Sequence, residues 1–286
     1  MVERIVVGID GSGPSRAALH WALNRSAASG AQFVLEHVVD DQRDGFDEHH
    51  ARTALIDGEL ALGQAVDQSR AFKSGIAVES RLVHGRPVSR LASEVQPGDL
   101  LAVGSHKTGF LRGRVLGTRS LAVVAAAPCS VVVIPDDRLT TRRGVIVGVA
   151  SGAASRAAIV AGATEAQRLG QDLSLVHGSV DSPEAAALAR TLLAEAAELA
   201  ATTAPGLTIR SRVSRRSAAE ALLDASHTAS LLVLGSNRID EDERAGFIGS
   251  LTHEVLLNLN SPVLVARPVS EPVAARAVPV DAVLTP

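Results

Sequence analysis

Short apolar runs alternate with stretches of helical period along nearly the whole chain. The apolar runs predict strands near 4–9, 32–38, 76–83, 100–103 and 130–134, with helices near 13–29, 48–74, 87–95 and 117–126 between them. A run such as Val131-Val132-Val133-Ile134 suits a strand covered on both faces. Strand–helix alternation in turn predicts a parallel sheet with right-handed crossovers. The same order returns later, with strands near 144–149, 172–176, 207–213, 231–234 and 262–265. A helix over 183–203 is built almost entirely from Ala, Leu and Glu, all strong helix formers.

The second half is a copy of the first. Residues 5–19 and 145–159 align at an offset of 140, with Gly8/Gly148, Ser15/Ser155 and Arg16/Arg156 coinciding. Leu100–Ser105 matches Leu231–Ser236 at an offset of 131, and Gly117-Thr118 matches Gly249-Ser250 at 132. Three anchors in one order define a duplicated unit of about 130–140 residues. The expected division is 1–140, 141–268 and a Pro/Ala/Val tail at 269–286, with Asp136–Arg143 as a polar linker.

Composition narrows the function classes. The chain has 286 residues, of which 46% are hydrophobic and 21% charged, enough to bury two cores. Mean hydropathy is +0.20. The net charge is −3, with 15 basic against 16 acidic residues up to position 140 and 13 against 15 beyond it. Neither half carries the excess of Lys and Arg that sequence-independent nucleic-acid binding requires. Five Phe, one Trp and no Tyr leave almost no base-stacking platform. Apolar stretches such as 145–150 fall far short of the about 20 residues a membrane span needs. No charged-then-apolar leader opens the sequence, so a soluble, cytoplasmic protein without nucleic-acid or membrane partners is expected. The lone Cys129 excludes an internal disulfide and a cysteine-based zinc site.

Ligands of open parallel α/β sheets bind beyond the carboxyl ends of the strands. Two segments of the first copy lie there. Gly8-Ile9-Asp10-Gly11-Ser12-Gly13 follows strand one, but it is no dinucleotide fingerprint, because the third glycine would fall on Arg16. It leaves a carboxylate, Asp10, able to accept from a ligand amine or hydroxyl, or simply to cap the following helix. The second segment runs from Gly104 to Thr118 and contains Lys107, Gly109, Arg112, Gly113, Arg114 and Gly117. Its glycines let backbone amides approach an anion, and Gly117-Thr118 stand at a helix N-terminus. A solvated basic loop is the plainer reading of the same residues.

Asp10, the loop from Gly104 to Gly117-Thr118 and the following Pro128-Cys-Ser-Val-Val-Val-Ile resemble the universal stress protein family, in both copies, over residues 1 to about 268. The resemblance implies a tandem member: two five-stranded parallel sheets flanked by helices, of the adenine-nucleotide α-hydrolase type, packed as a pseudo-dimer through their last strands. The ATP-binding branch carries G-x2-G-x9-G-[S/T] after strand four. By that resemblance Asp10 and Val38 contact the adenine side, and Gly104, Gly117 and Thr118 hold ribose and phosphates. The middle glycine of the motif falls on Lys107, whose side chain either crowds the ribose and phosphates or pairs with a phosphate; Gly109 restores some backbone freedom. Mg²⁺ is expected only as a companion of the phosphates.

In the second copy Ala150 stands at the place of Asp10, Arg238 at the middle glycine, and Asp240-Glu241-Asp242-Glu243 where the first copy is basic. Four carboxylates repel a triphosphate by an amount on the order of several kcal/mol at low screening. That site is expected to be degenerate. Other groups read more plainly. Glu48-His49-His50 is a solvated helix start rather than a metal site, since neighbouring helical residues point about 100° apart. His84-Gly85-Arg86 either borders the pocket or belongs to a loop. Asp10 and His106 are the acid/base groups nearest the loop, with no activating pair and no G-x-S-x-G elbow. The expected function is a stress-responsive regulator that binds ATP in its N-terminal repeat and signals occupancy to a protein partner. A nucleotide-free scaffold and a slow ATPase are the alternatives, and a homodimer of tandem chains is compatible with each.

Overall fold

The computed structural model describes residues 3–26, 30–41, 48–72, 76–105, 118–135, 142–178, 182–236 and 248–268. In the N-terminal repeat these form β1 (Arg4–Gly8), α1 (Gly13–Ser26), β2 (Gln32–Val39), α2 (Glu48–Phe72), β3 (Val78–His84), α3 (Pro87–Ser93), β4 (Leu100–Gly104), α4 (Thr118–Ala126) and β5 (Ser130–Ile134). The C-terminal repeat continues with β6 (Val145–Gly148), α5 (Ala153–Leu169), β7 (Leu173–Gly178), α6 (Pro183–Thr203), β8 (Ile209–Ser214), α7 (Ala218–Ser226), β9 (Leu231–Gly235), α8 (Ser250–Leu257) and β10 (Val263–Ala266).

Local chemistry sets several of these limits. Ser182 caps α6 by accepting from the Ala185 amide at 3.1 Å, with Pro183 in the first turn, where a missing N–H costs nothing. Ser217 and Glu220 form a reciprocal capping box on α7. Strand β3 starts two residues later than the apolar pattern predicts, because its pairing with β2 begins at Phe33 opposite Val78.

All ten strands join in one sheet, ordered β3-β2-β1-β4-β5-β10-β9-β6-β7-β8. Within each repeat the neighbours are parallel. The repeats meet where β5 and β10 pair antiparallel, Val131 opposite Val265 and Val133 opposite Val263. The pseudo-dimer is therefore a continuous sheet about a local twofold axis, with all these valines buried. Central strands are covered on both faces, one layer built on α1, α2, α5 and α6 and the other on α3, α4, α7 and α8. Edge strands β3 and β8 instead expose Glu79, Arg210 and Arg212, charges that discourage pairing with another sheet.

Across the twofold, Arg25 of α1 meets Glu165 of α5 at 2.8 Å. Glu165 is 1% exposed and also holds Arg168 at 2.8 Å, while Arg25 also pairs with Glu3. Beyond β10, Arg267 donates from its guanidinium to the Val124 carbonyl at 2.7 Å, so the last strand of one repeat is tied to α4 of the other. Among the described residues no helix is long and apolar enough to cross a membrane.

Candidate functional site

In each repeat the strand order reverses between its first and fourth strands, at β1/β4 and at β6/β9. Crossovers leave the sheet on opposite sides there, and a crevice opens beyond the carboxyl ends. The N-terminal crevice is a cleft of about 250 Å³. Asp10, Val38 and Gly104, from three separate stretches of sequence, all line it, together with Leu91, Val103 and Val123. Lys107, Gly109 and Gly117 lie outside the described residues, as does His106. Thr118 is the first residue of α4. Arg119 and Ser120, next along α4, border the cleft.

Asp10 serves the local fold as well as the cleft. Its Oδ1 accepts from the Ser12 amide at 2.9 Å, turning the chain into α1. Its own amide points to Ser15 Oγ at 3.4 Å. Gly104 is explained by packing. A Cβ there would lie 2.3 Å from the Pro14 carbonyl carbon, so the end of β4 must be bare for α1 to start where it does. Gly235 repeats this against the Ala154 carbonyl oxygen at 2.1 Å. Ser120 Oγ donates to the Gly104 carbonyl at 3.0 Å and ties α4 to the strand end.

Charge is divided across the cleft. Asp10, Glu36 and Asp40 stand on the side of β1 and β2, and Arg119 on the side of α4. Arg119 reaches Asp40 at 3.6 Å, an exposed pair worth little by itself. Such a gradient orients a ligand, amines and hydroxyls toward the strand ends and anionic groups toward α4.

Glu36 is the residue that sequence reasoning missed. It lines the cleft but is only 1% exposed, and neither of its buried carboxyl oxygens has a hydrogen-bond partner. Burial, helped by the nearby Glu94 carboxylate, pushes its pKa up to about 7 against the pull of Arg81, Arg90 and Arg4. The available signal was one acidic residue inside Phe33-Val-Leu-Glu-His-Val-Val39, where the second repeat has only apolar and small residues beside its histidine. His37, next to it, faces the opposite layer. Its Nδ1 donates to the Ile9 carbonyl at 2.8 Å, and its ring fills the space left by Gly58.

The C-terminal crevice has about 360 Å³ and the same frame. His177 Nδ1 donates to the Val149 carbonyl at 2.8 Å and Ser155 Oγ accepts from the Ala150 amide at 2.9 Å. Its described lining contains no carboxylate: Ala150 replaces Asp10 and Val176 replaces Glu36. Gly178 replaces Val38, and the backbone of Ala218 in α7 closes to 2.4 Å of where a Cβ would sit. Residues 237–247, with the acidic run, lie outside the described residues.

Cys129 is buried at the start of β5 and its thiol is pushed up to about 12 by burial, which leaves it unreactive. His84 stands 3.9 Å from Asp41 and does not border the cleft. Among the described residues no group of three or more His, Cys, Asp or Glu could hold a metal ion.

Fold and crevices together define a duplicated, doubly wound α/β protein with a crevice at the strand-order switch of each repeat. A family model, the universal stress protein family, matches residues 1–135 and again 141–267, and the chain belongs to that family. A universal stress protein of Mycobacterium tuberculosis is 28% identical over 293 residues, covering 92% of this chain and 96% of the relative. One of Mycolicibacterium smegmatis is 26% identical, covering 92% and 97%. Among solved structures, a universal stress protein from Archaeoglobus fulgidus superimposes with a TM-score of 0.73 at 19% identity, over 93% of this chain and 98% of that one, a likeness of fold.

Proposed function

We propose that the N-terminal repeat binds an adenine nucleotide, ATP, and that its occupancy is read by a protein partner as a stress signal. The observation that carries this reading is the meeting of Asp10, Val38 and Gly104 around one cleft at the strand-order switch. A base fits among Val38, Leu91 and Val103. Asp10 then stands on the adenine side with Val38, the ribose lies by Gly104, and the phosphates run toward Arg119 and the N-terminus of α4, where backbone amides favour anions. Lys107, Gly109, Gly117 and Thr118 would complete that phosphate end. Mg²⁺ would arrive on the phosphates, since the described residues offer no carboxylate cage for it. The C-terminal repeat, without Asp10 and Glu36 counterparts, serves as the structural half of the pair.

The test uses the absorbance of the protein itself. With one Trp and no Tyr, the chain absorbs weakly at 280 nm, so a bound adenine dominates near 260 nm. Full-length protein purified without added nucleotide, or titrated with ATP, is expected to hold one nucleotide per chain. Two per chain would reassign the C-terminal cleft as a second site. None, in either experiment, would leave the scaffold reading in its place.

A further inference from the structure

A buried carboxyl group without a hydrogen-bond partner is costly, and the structures that tolerate one generally give it something to do. Glu36 is such a group. Gly8 stands opposite it on β1, and Val38 lies two residues beyond it on the same face of β2. Leu91, Val103 and Val123 line the same opening, with the buried hydroxyls of Ser15 and Ser120, and Glu36 is the buried carboxylic acid among them. The charged groups that act on it are Arg4 from β1, Arg81 from β3, and Arg90 and Glu94 from α3 and its C-cap. Asp10, Asp40 and Arg119 stand around the mouth. None of these donates a hydrogen bond to either carboxyl oxygen.

We propose that Glu36 is a specificity-determining residue of the N-terminal cleft, its carboxyl group accepting a hydrogen bond from an exocyclic amine of the bound base. The inference rests on the reading of that cleft as a nucleotide site. In its protonated form the same group donates its O–H to the ring nitrogen beside the amine, giving two matched bonds to a 6-aminopurine. Ionised, it sets a second acceptor against that nitrogen and loses one of the two. Because burial keeps the group protonated up to about pH 7, the matched form prevails below neutrality. The C-terminal cleft, with Val176 at this position, has no such reader.

The experiment is calorimetric titration of the full chain with ATP and with purine riboside triphosphate, which lacks only the exocyclic amine, at pH 6 and pH 8. Wild-type protein is expected to prefer ATP by roughly tenfold to a hundredfold, the usual worth of a bidentate base contact, and to bind it less tightly at pH 8. Glu36→Val, which reproduces the residue of the other repeat, should bring ATP down to the level of the analogue. Glu36→Gln keeps an acceptor beside a donor, and should retain the preference while losing the pH dependence. A Glu36→Val protein with the wild-type ratio of the two affinities would overturn the proposal while leaving the nucleotide site intact. Wild-type protein that binds neither triphosphate would instead overturn the nucleotide reading, and this inference with it.

Discussion

At the end of its first strand the N-terminal repeat has Asp10 where the C-terminal repeat has Ala150, and one strand over it has Glu36 where the other has Val176. Beneath these differences the two crevices share their hydrogen bonds. A serine in the first helix meets the backbone amide of residue 10 or 150, and a histidine on the second strand donates to the carbonyl of Ile9 or Val149. Gly104 and Gly235 both give way to the start of a helix. The features common to both repeats are thus required by packing, whereas Asp10, Glu36 and Val38, which line the N-terminal cleft, are exchanged for Ala150, Val176 and Gly178. A glycine motif alone therefore says little about ligand binding here. The carboxyl groups beside it say more.

The same comparison explains an advantage of joining two repeats in one chain. Arg25 and Glu165 are equivalent positions at the offset of 140, and they face one another across the local twofold. Two identical repeats would place like charges there. Duplication followed by divergence allows an ion pair, and it favours pairing the N-terminal repeat with the C-terminal one rather than with itself.

Substitutions at four features of the two repeats would break or sharpen this comparison. The largest effect is expected from Arg25→Glu, which sets a second carboxylate against the buried Glu165 and leaves Arg168 to offset both. Denaturant unfolding should show a loss of about 3–5 kcal/mol. The double variant Arg25→Met with Glu165→Met should lose less than its two single variants summed, and strict additivity would refute the pairing.

Next comes the buried carboxyl. The folded value of Glu36, about 7, lies above its ordinary 4.5, so between those pH values the folded chain holds a proton that the unfolded chain has released. Stability attributable to this group is full below pH 4.5, falls as pH rises through that window, and is lost above 7. Glu36→Gln should flatten this fall, gaining on the order of 3 kcal/mol over wild type at pH 8 relative to pH 4.5. Parallel pH–stability curves for the two proteins would place the carboxyl in an ordinary solvated setting.

Gly104→Ala and Gly235→Ala should each cost about 1–3 kcal/mol, because the added methyl meets helix backbone in both repeats. Equal losses in melting experiments would show the glycines serving the fold. The smallest effect on stability, and the most specific on function, belongs to Asp10→Ala. It should weaken ATP binding by roughly tenfold, the scale of one charge-assisted hydrogen bond, with an unfolding change of about 1 kcal/mol from the lost turn contact to Ser12. Unaltered ATP affinity would confine Asp10 to its turn.

Much of the molecule follows from the sequence by itself. The strands and helices are legible because burial on both faces writes unbroken apolar runs such as 131–134, and helices write their own period and caps, as in 183–203. The duplication, and the exchange of Asp10 for Ala150, are legible because a fixed offset needs no spatial knowledge. Tertiary structure decided the rest. An acidic residue in a strand does not announce whether it faces solvent or a floor; α3, α4 and the neighbouring strands bury Glu36, and those come from segments up to about 90 residues away. Gly104 is bare because of Pro14, and Arg25 is paired because of Glu165. The single ten-stranded sheet exists because β5 meets β10 from the far end of the described chain. Local propensity is set by neighbours along the chain. Desolvation, close backbone approach and charge pairing act between groups that only folding brings together.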